Sequence, residues 1–404
     1  MTNDISQSSK PQFRDATNLL RGICALAILI FHYQHFFYQG TRKTDFDEIN
    51  QPFYFLFSTV YDSGYLAVQI FWCISGLIMT HSYINKKDNS ARDYTVSRFA
   101  RLYPLHIITL LVVTILQQIS FQKLNTFQIY ANNDLHHFLL NLFFVQSWGF
   151  QKGFSFNAPT WSVSLEIVIY ILFFFVISSL KRFKVWVPIA VLALYKLSVN
   201  IELISPFRNC LAYFFFGVAV YFCSTFVTKK FFKSIIVLIL FIEVFVFLAL
   251  RHFNLISFDS GGNGFIWGTA FLVFFVAQID GSRLAPLLTK ARMIGDLSYS
   301  VFLWHVPIQI LIKLVQAKYS IDNSIAYSKL FFIIFIVLTY FVGYLSYRFI
   351  EQPVQRIIRK RFAHNAAMFE STPTIRRSFS AKISLRKFCK CMNVHFLSSD
   401  KRSC

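Results

Sequence analysis

The sequence predicts an all-α fold: a polytopic membrane helix bundle of about ten transmembrane helices, with both termini in the cytoplasm. Hydrophobic residues make up 55% of the 404 residues and charged residues only 15%. The mean hydropathy is +0.50. A water-soluble domain cannot bury so large an apolar fraction, whereas a chain that crosses a bilayer many times exposes it to lipid.

Apolar stretches and the basic residues between them predict the topology. Each stretch is close to the ~20 residues that a helix needs to cross a bilayer. Lys and Arg cluster in alternate connections, before the first stretch and after the last. Because such clusters favour the cytoplasm, both termini are predicted to be cytoplasmic. The predicted spans are 19–38, 64–84, 103–121, 160–180, 185–204, 209–227, 231–250, 264–282, 297–316 and 328–350.

Three regions follow from this pattern. Residues 1–18 are polar, lack the apolar core of a signal peptide and are predicted to be a cytoplasmic segment. Residues 19–353 form the transmembrane domain. Residues 354–404 are a basic cytoplasmic tail, predicted to be disordered and to lie on the anionic inner leaflet. Residues 136–150 are apolar but too short to span, which predicts a re-entrant or interfacial element.

Charge and cysteine content exclude several classes of function. The net charge of +21 falls largely in short loops and the tail rather than on a soluble basic surface, so no nucleic-acid partner is predicted. The seven cysteines lie in apolar stretches or in the tail. They form no disulfide framework, and neither a metal nor a redox cofactor is expected.

Arg21 and His32 are the strongest functional candidates. Eleven positions separate them in the first predicted span, close to three helical turns, so both should project from one face, about 16 Å apart along the axis. With Arg21 at the membrane boundary, His32 would lie near the bilayer midplane, where ionisable groups are costly and usually functional. His35 follows one turn later. The alternative is that both histidines are core residues hydrogen-bonded to neighbouring helices.

The fourth predicted span begins with a polar face. Ser162, Glu166 and Tyr170 recur at every fourth position after Trp161. A carboxylate at the outer end of this span could act as an acid, orient a sugar hydroxyl or pair with a cation.

The second and third spans add two further pairs. Ser75 and Gly76 interrupt an apolar helix; no nucleophile elbow surrounds the serine, which favours close packing or ligand approach. Arg98 and Arg101 stand one turn apart where the third span begins. They are either ordinary markers of the cytoplasmic side or a phosphate clamp, because each guanidinium presents paired donors.

The last two spans carry the remaining candidates. Ser298, followed by Tyr299, lies seven positions before His305, which places the serine and the histidine on one face. Pro307 is expected to kink this helix and free backbone groups near the histidine. Glu351 lies among basic residues at the end of the last span and is expected to form a structural ion pair.

Taken together, these motifs resemble acyltransferase family 3, integral-membrane O-acyltransferases that modify bacterial carbohydrates and some small molecules. The resemblance covers about residues 14–360. The chain departs from the family pattern at Gln69, Trp72 and Leu77. The matching motifs are Arg21 with His32, 71–77 (FFxxSGF-like), Arg98-x-x-Arg101-x-x-Pro104, 161–166 (WSxSxE-like), 295–305 (GxxSYxxYLxH-like) and 347–353 (YRFIExP-like).

The resemblance implies an acyl-CoA donor, acetyl-CoA by default, and a carbohydrate hydroxyl as acceptor, including a lipid-linked one. It places the protein among the lipids of the bacterial inner (plasma) membrane and leaves the oligomeric state open. The implied general base is His32, with Glu166 and His305 as further catalytic residues. The implied donor-binding residues are Arg21, Arg98 and Arg101. The residues expected either to contact the substrate or to pack between helices are Ser75, Gly76, Trp161, Ser162, Tyr170, Ser298, Tyr299 and Glu351.

Two other functions fit parts of the sequence. The first is a transporter or flippase without catalysis, in which Lys196, Glu202, Glu243 and the histidines line a pathway. Against it, the chain shows neither symmetric halves nor paired broken helices. The second is a membrane acyltransferase that modifies proteins or lipids instead of sugars.

Overall fold

The computed structural model describes residues 15–198, 205–226, 263–279 and 292–371. Apart from an isolated bridge between Gln39 and Arg42, the regular elements in these ranges are helices. The α-helices are α1 (Asp15–Phe31), α2 (Tyr54–Ser63), α3 (Ala67–Tyr83), α4 (Ala91–Leu124), α5 (Leu135–Leu142), α6 (Trp161–Phe183), α7 (Trp186–Leu197), α8 (Ser205–Phe226), α9 (Asn263–Ile279), α10 (Ser298–Lys318), α11 (Lys329–Ser346) and α12 (Gln352–Ser371).

Seven helical segments in these ranges are long and apolar enough to cross a membrane. Two of the ten predicted spans, the fifth and the eighth, contain the shorter apolar helices α7 and α9. The predicted span 231–250 lies outside the described residues, as do Glu202 and Glu243. The membrane side of each terminus stays a prediction. The seven segments are Asp15–Phe37, Tyr54–Tyr83, Ala91–Leu124, Ala158–Phe183, Pro206–Thr225, Ser298–Lys318 and Lys329–Phe362.

The first span changes its helical form at the residue of greatest interest. The α-helix α1 ends at Phe31, and a 3₁₀-helix, His32–Phe37, continues from it. The tighter 3₁₀ turn needs a reason beyond local sequence, because its hydrogen bonds are poorer than those of an α-helix. The expectation of one uniform α-helix through His32 was therefore wrong for its last turns.

A short element follows α4, as the length of residues 136–150 predicted. Asp134 caps α5 by accepting a hydrogen bond from the backbone N–H of His137 at 2.8 Å. The helix α5 has eight residues and is followed by one wide turn, Gln146–Phe150. Neither piece is long enough to span a bilayer.

Helices α3 and α8 cross in close backbone contact. A Cβ added to Gly76 would collide with the backbone carbonyl oxygen of Phe214, and one on Gly217 with that of Cys73. Gly76 therefore packs, one of the two roles that the sequence suggested, because only glycines let these two backbones approach so closely.

The structure has a helix across the predicted boundary at residue 353, and the division of the chain into three regions stays a prediction. Helix α12 continues from the turn Tyr347–Glu351 without a break and runs to Ser371. It packs against α4, where the Arg92 guanidinium lies 5.7 Å from the centroid of the Phe362 ring. This contact and the good helix propensity of Lys and Arg account for the extension. Residues 372–404 of the predicted tail lie outside the described residues.

Candidate active site

Three predicted arginines line one cavity in the bundle, called the arginine cavity here. Arg21 comes from α1, and Arg98 and Arg101 from α4. Most of the remaining wall is apolar, and the polar part includes Glu166 and Tyr170 of α6. The sequence named each of these five residues as a candidate, and it left Glu166 open as an acid, as a group that orients a sugar hydroxyl or as the partner of a cation. In the structure this carboxylate lines the same cavity as the arginines.

The polar groups of the arginine cavity contact one another without forming ion pairs. The Tyr170 hydroxyl donates to Glu166 Oε1 at 2.7 Å. The Arg98 guanidinium lies 5.8 Å from the centre of the Tyr170 ring and 3.1 Å from Met79 Sδ. Between described residues, ion pairs join only His137 to Asp134 and Arg292 to Asp296, so none of the three arginines is paired with a described carboxylate. Their charges face an open volume that an anion could enter.

A second cavity of about 370 Å³, called the basic mouth, adjoins the first and shares Arg21 and Arg101 with it. Arg356 and Arg359 of α12 line its far side. Four guanidinium groups from α1, α4 and α12 line this cavity and could each bind phosphate or carboxylate oxygens with paired donors. The sequence did not single out Arg356 and Arg359, because a basic residue after the last span looks like a topology marker.

Glu351 also lines the basic mouth, but not in the ion pair expected for it. Its side chain is buried, with Oε2 accepting from Ser300 Oγ at 2.7 Å and Oε1 from Gln355 Nε2 at 3.1 Å. No described cation lies within ion-pair distance. A buried carboxylate needs hydrogen bonds, and here neutral donors on α10 and α12 supply them.

Three histidines meet at the end of α1 and form the histidine cluster. The ring centroid of His32 lies 5.1 Å from that of His35 and 4.9 Å from that of His305. His35 and His305 are buried, and His32 is half-buried. In the described part of the chain, no group of three or more His, Cys, Asp or Glu side chains has a geometry that could hold a metal ion.

Backbone carbonyls fix the tautomers of two of these rings. His32 Nδ1 lies 2.9 Å from the carbonyl oxygen of Ile28, and His305 Nδ1 lies 2.6 Å from that of Phe302. Because a carbonyl oxygen only accepts, Nδ1 must carry the hydrogen in each neutral ring. Each Nε2 then keeps a lone pair. The Nε2 of His305 is buried and has no hydrogen-bond partner among the described residues.

Gln309 of α10 joins the cluster to the 3₁₀-helix. Its Nε2 donates to the carbonyl oxygen of His32 at 2.7 Å, and its Oε1 accepts from His35 Nδ1 at 3.2 Å. One turn further along α10, buried Lys313 donates to the carbonyl oxygen of Tyr38 at 2.6 Å. Gln309 and Lys313 thus tie α10 to the backbone at the two ends of the 3₁₀-helix. Sequence reasoning missed both residues, although their spacing from His305 by four and eight positions was a usable signal.

His32 and His35 line a third cavity of about 330 Å³, the histidine cavity. It shares Val68 of α3 and Phe302 of α10 with the arginine cavity. Arg21 and His32 therefore do not line one volume, but they line two volumes that meet at these two apolar side chains. His32 therefore lines a cavity within the bundle.

The other predicted residues divide between these volumes. Trp161 lines the histidine cavity. Tyr299 anchors α10 to α4, with its hydroxyl donating to the carbonyl oxygen of Leu102 at 2.6 Å. The Ser298 hydroxyl is buried and has no described partner. Besides the three arginines, Glu166 and Tyr170, the predicted residues that line the arginine cavity are Ser75, Ser162, Ser298 and Tyr299.

Comparison with known proteins identifies what this arrangement is similar to. The family model described as an acyltransferase domain, that of acyltransferase family 3, matches residues 14–359. The O-acetyltransferase OatA of Staphylococcus aureus strain NCTC 8325 is 25% identical over 402 residues, covering 90% of this chain and 61% of the relative. The chain thus spans less than two thirds of that protein's length.

Two further relatives point the same way. A putative O-acetyltransferase, SAS0844, of S. aureus strain MSSA476 is 23% identical over 399 residues, covering 88% of this chain and 59% of the relative. The acyltransferase MdmB of Streptomyces mycarofaciens is 30% identical over 113 residues, which is 27% of each chain. No solved structure matches.

Proposed function

The chain belongs to acyltransferase family 3, and on that premise we propose that it is a membrane O-acyltransferase that moves an acyl group from acyl-CoA to a hydroxyl of a carbohydrate. The names of two relatives support acetyl as the group transferred. Their bacterial source supports the inner (plasma) membrane as the location. The acceptor is proposed to be a cell-surface or exported glycan, including a lipid-linked one.

The observation that carries the proposal is the fixed tautomer of His32. Its Nδ1 is bound to the Ile28 carbonyl, so its Nε2 lone pair is available in the histidine cavity. A general base must offer such a lone pair to the hydroxyl that attacks. Proton transfer to a positioned base typically contributes about 10²–10⁴-fold in rate.

The donor is proposed to bind from the basic mouth. Its phosphates would contact Arg21 and Arg101, which line both the mouth and the arginine cavity, together with Arg98 deeper inside. The thioester would then reach the junction at Val68 and Phe302. The apolar walls keep water from the thioester, which would otherwise be hydrolysed.

In the reaction, the acceptor oxygen attacks the thioester carbonyl carbon, so a C–O bond forms and the C–S bond breaks. The hydroxyl proton passes to His32 Nε2. The departing CoA thiolate takes up this proton from the imidazolium. The products are an ester and free CoA, and His32 returns to its neutral form.

The other predicted catalytic residues have different surroundings and therefore different proposed roles. His305 lies beside His32 with its own Nε2 lone pair, so it can share the accepted proton. Glu166 accepts a hydrogen bond from the Tyr170 hydroxyl in the arginine cavity. Its proposed role is to hold Tyr170 beside Arg98 at the donor.

The direct test is acyl transfer by His32→Ala. We expect this variant to accumulate in membranes and bind CoA as the wild type does, while glycan acylation falls at least about 10²-fold. The matched control is His136→Ala, because His136 is exposed and bonded only to the Phe150 carbonyl among described groups. Wild-type acylation by His32→Ala would remove this residue from the mechanism.

The rival functions make different predictions for a deletion strain. Mass spectrometry of its surface glycans should show the loss of an ester group if the acceptor is a sugar. If the glycans keep their ester groups and a protein or lipid loses one, the acceptor is that protein or lipid and not a sugar. Movement of a substrate without CoA release by the purified protein would favour transport.

A further inference from the structure

A fourth cavity, called the vestibule, continues from the histidine cavity away from the arginines. It shares Gln34, Tyr38 and Tyr65 with the histidine cavity and has a volume of about 490 Å³. Its described lining comes from residues 31–65, which comprise the end of the first span, the connection after it and the start of the second span. Through the shared residues, a bound molecule would have access to His32.

Aromatic rings and polar side chains alternate around the vestibule. Phe46, Tyr38 and Tyr65 offer ring surface, and Tyr65 is 38% exposed. Glu48 and Asp62 add carboxylates at an exposed rim. Carboxylates accept hydrogen bonds from hydroxyls, while aromatic faces pack against apolar C–H surface. A pyranose ring presents both surfaces at once.

A buried polar atom in the vestibule lacks a partner. Gln51 is only 5% exposed, and its Nε2 donates to the carbonyl oxygen of Glu48 at 3.2 Å. Its Oε1 is buried and has no hydrogen-bond partner among the described residues. Such an acceptor costs free energy unless a donor reaches it, and a ligand hydroxyl entering the vestibule would be one.

The loop that carries these groups is held in place before any ligand binds. Asp47 caps the short helix Glu48–Asn50 by accepting from the backbone N–H of Ile49 at 3.1 Å, and its own N–H donates to the Tyr327 hydroxyl at 2.9 Å. The Phe37 and Phe46 rings stack with centroids 4.4 Å apart. A site fixed in this way loses little conformational entropy on binding.

We propose that the vestibule is the acceptor-binding site and that it selects a pyranose without a carboxylate group. This inference rests on the proposed function for its link to catalysis, but not for sugar binding itself. The described charged residues of the lining are Glu48, Asp62 and Lys43. The Lys43 ammonium lies 5.7 Å from the centre of the Phe46 ring. Two carboxylates against one ammonium disfavour a uronic acid and admit neutral or amino sugars.

The test compares Glu48→Gln and Tyr65→Ala with the control Asp45→Asn, using the full chain in detergent. Asp45 is an exposed carboxylate of the same loop outside the vestibule lining. Binding of p-nitrophenyl glycosides of N-acetylglucosamine, glucosamine and glucuronic acid is read from the ligand-induced shift in Tm. Acetyl transfer from acetyl-CoA is measured on the same preparations.

We expect the wild type and Asp45→Asn to bind the first two glycosides and not the glucuronide. In Glu48→Gln, Kd and KM for the sugar should each rise about tenfold, the loss typical of a hydrogen bond to a charged group. In Tyr65→Ala both should rise by about the same factor, because the sugar loses the aromatic surface against which it packs. KM for acetyl-CoA should not change, which also shows that the variants fold. Unchanged sugar affinity in both variants, or equal binding of the glucuronide, would overturn the proposal. Sugar binding that depends on Glu48 without any acetyl transfer would keep the site and instead refute the proposed function.

Discussion

In the arginine cavity, guanidinium groups from two helices face open volume without an ion pair to a described carboxylate, whereas in the histidine cluster every ring has Nδ1 held by a protein oxygen. The first arrangement suits the binding of an anion, because the ligand supplies the missing charge. The second suits chemistry, because the ring orientation and the tautomer are set beforehand. Among the described residues, the arginine cavity and the histidine cavity share Val68 and Phe302 in their linings. The comparison therefore predicts that binding and catalysis respond to different substitutions.

The largest effect is expected where the two regions meet. Val68→Phe should fill the junction and lower kcat about 100-fold or more, because a misplaced thioester cannot reach His32. Affinity for CoA should stay within about twofold, since the arginines are unchanged. Val68→Ala is the matched control and should keep the passage open. Equal rates for Val68→Phe and the wild type would mean that acyl groups do not pass here.

Removing an arginine that binds the donor should raise KM for acetyl-CoA and leave kcat unchanged. Arg101→Ala removes a guanidinium that lines both the arginine cavity and the basic mouth. We expect KM for acetyl-CoA to rise about 10–100-fold, the range for a charge-assisted hydrogen bond. Arg101→Lys should restore it only in part, because an ammonium lacks the planar fork. Arg92→Ala, an exposed arginine of the same helix, is the control, and an equal rise there would indicate a general surface-charge effect.

Removing the hydrogen bonds that hold the histidine cluster should lower kcat and leave KM for acetyl-CoA unchanged. Gln309→Ala removes both hydrogen bonds that hold His32 and His35. We expect kcat to fall about tenfold, a smaller loss than removal of the base itself, because the imidazole remains but is less well oriented. Gln316→Ala is the control, since Gln316 is buried on the same helix and makes no described side-chain hydrogen bond. A raised KM for acetyl-CoA in Gln309→Ala would link the two regions more tightly than proposed.

The smallest effect on the reaction is expected in the scaffold outside both regions. Gly76→Ala forces a methyl group against the Phe214 carbonyl at the crossing of α3 and α8. Overpacking of this kind typically costs about 1–3 kcal/mol. We expect a lower Tm in detergent, with KM and kcat within about threefold of the wild type at low temperature. Gly268→Ala is the control, because a Cβ there meets no neighbour within 4 Å.

The sequence predicted the helical membrane fold because hydropathy depends on local composition. It also predicted the three arginines, whose helix positions are local. It did not predict the 3₁₀-helix at His32, because that turn depends on donors from Gln309 and Lys313, which are 277 and 275 positions away from the carbonyls they bind.

Glu166 shows the same limit in another way. Its face on α6 was predicted correctly from the fourfold spacing with Ser162 and Tyr170. The neighbours of that face were not, because helix rotation and packing in a bundle depend on residues from several spans. For this reason the sequence left three roles open for the carboxylate, while the fold places it in the cavity that the arginines line.

The most direct test that the arginines bind the donor while His32 carries the reaction uses one preparation of His32→Ala. Its CoA affinity is measured by isothermal titration in detergent, and its acetyl transfer by release of CoA in the presence of a glycoside acceptor. We predict wild-type affinity for CoA together with a loss of acetyl transfer of at least about 10²-fold. Transfer at the wild-type rate, or a loss of CoA binding equal to the loss of transfer, would contradict it.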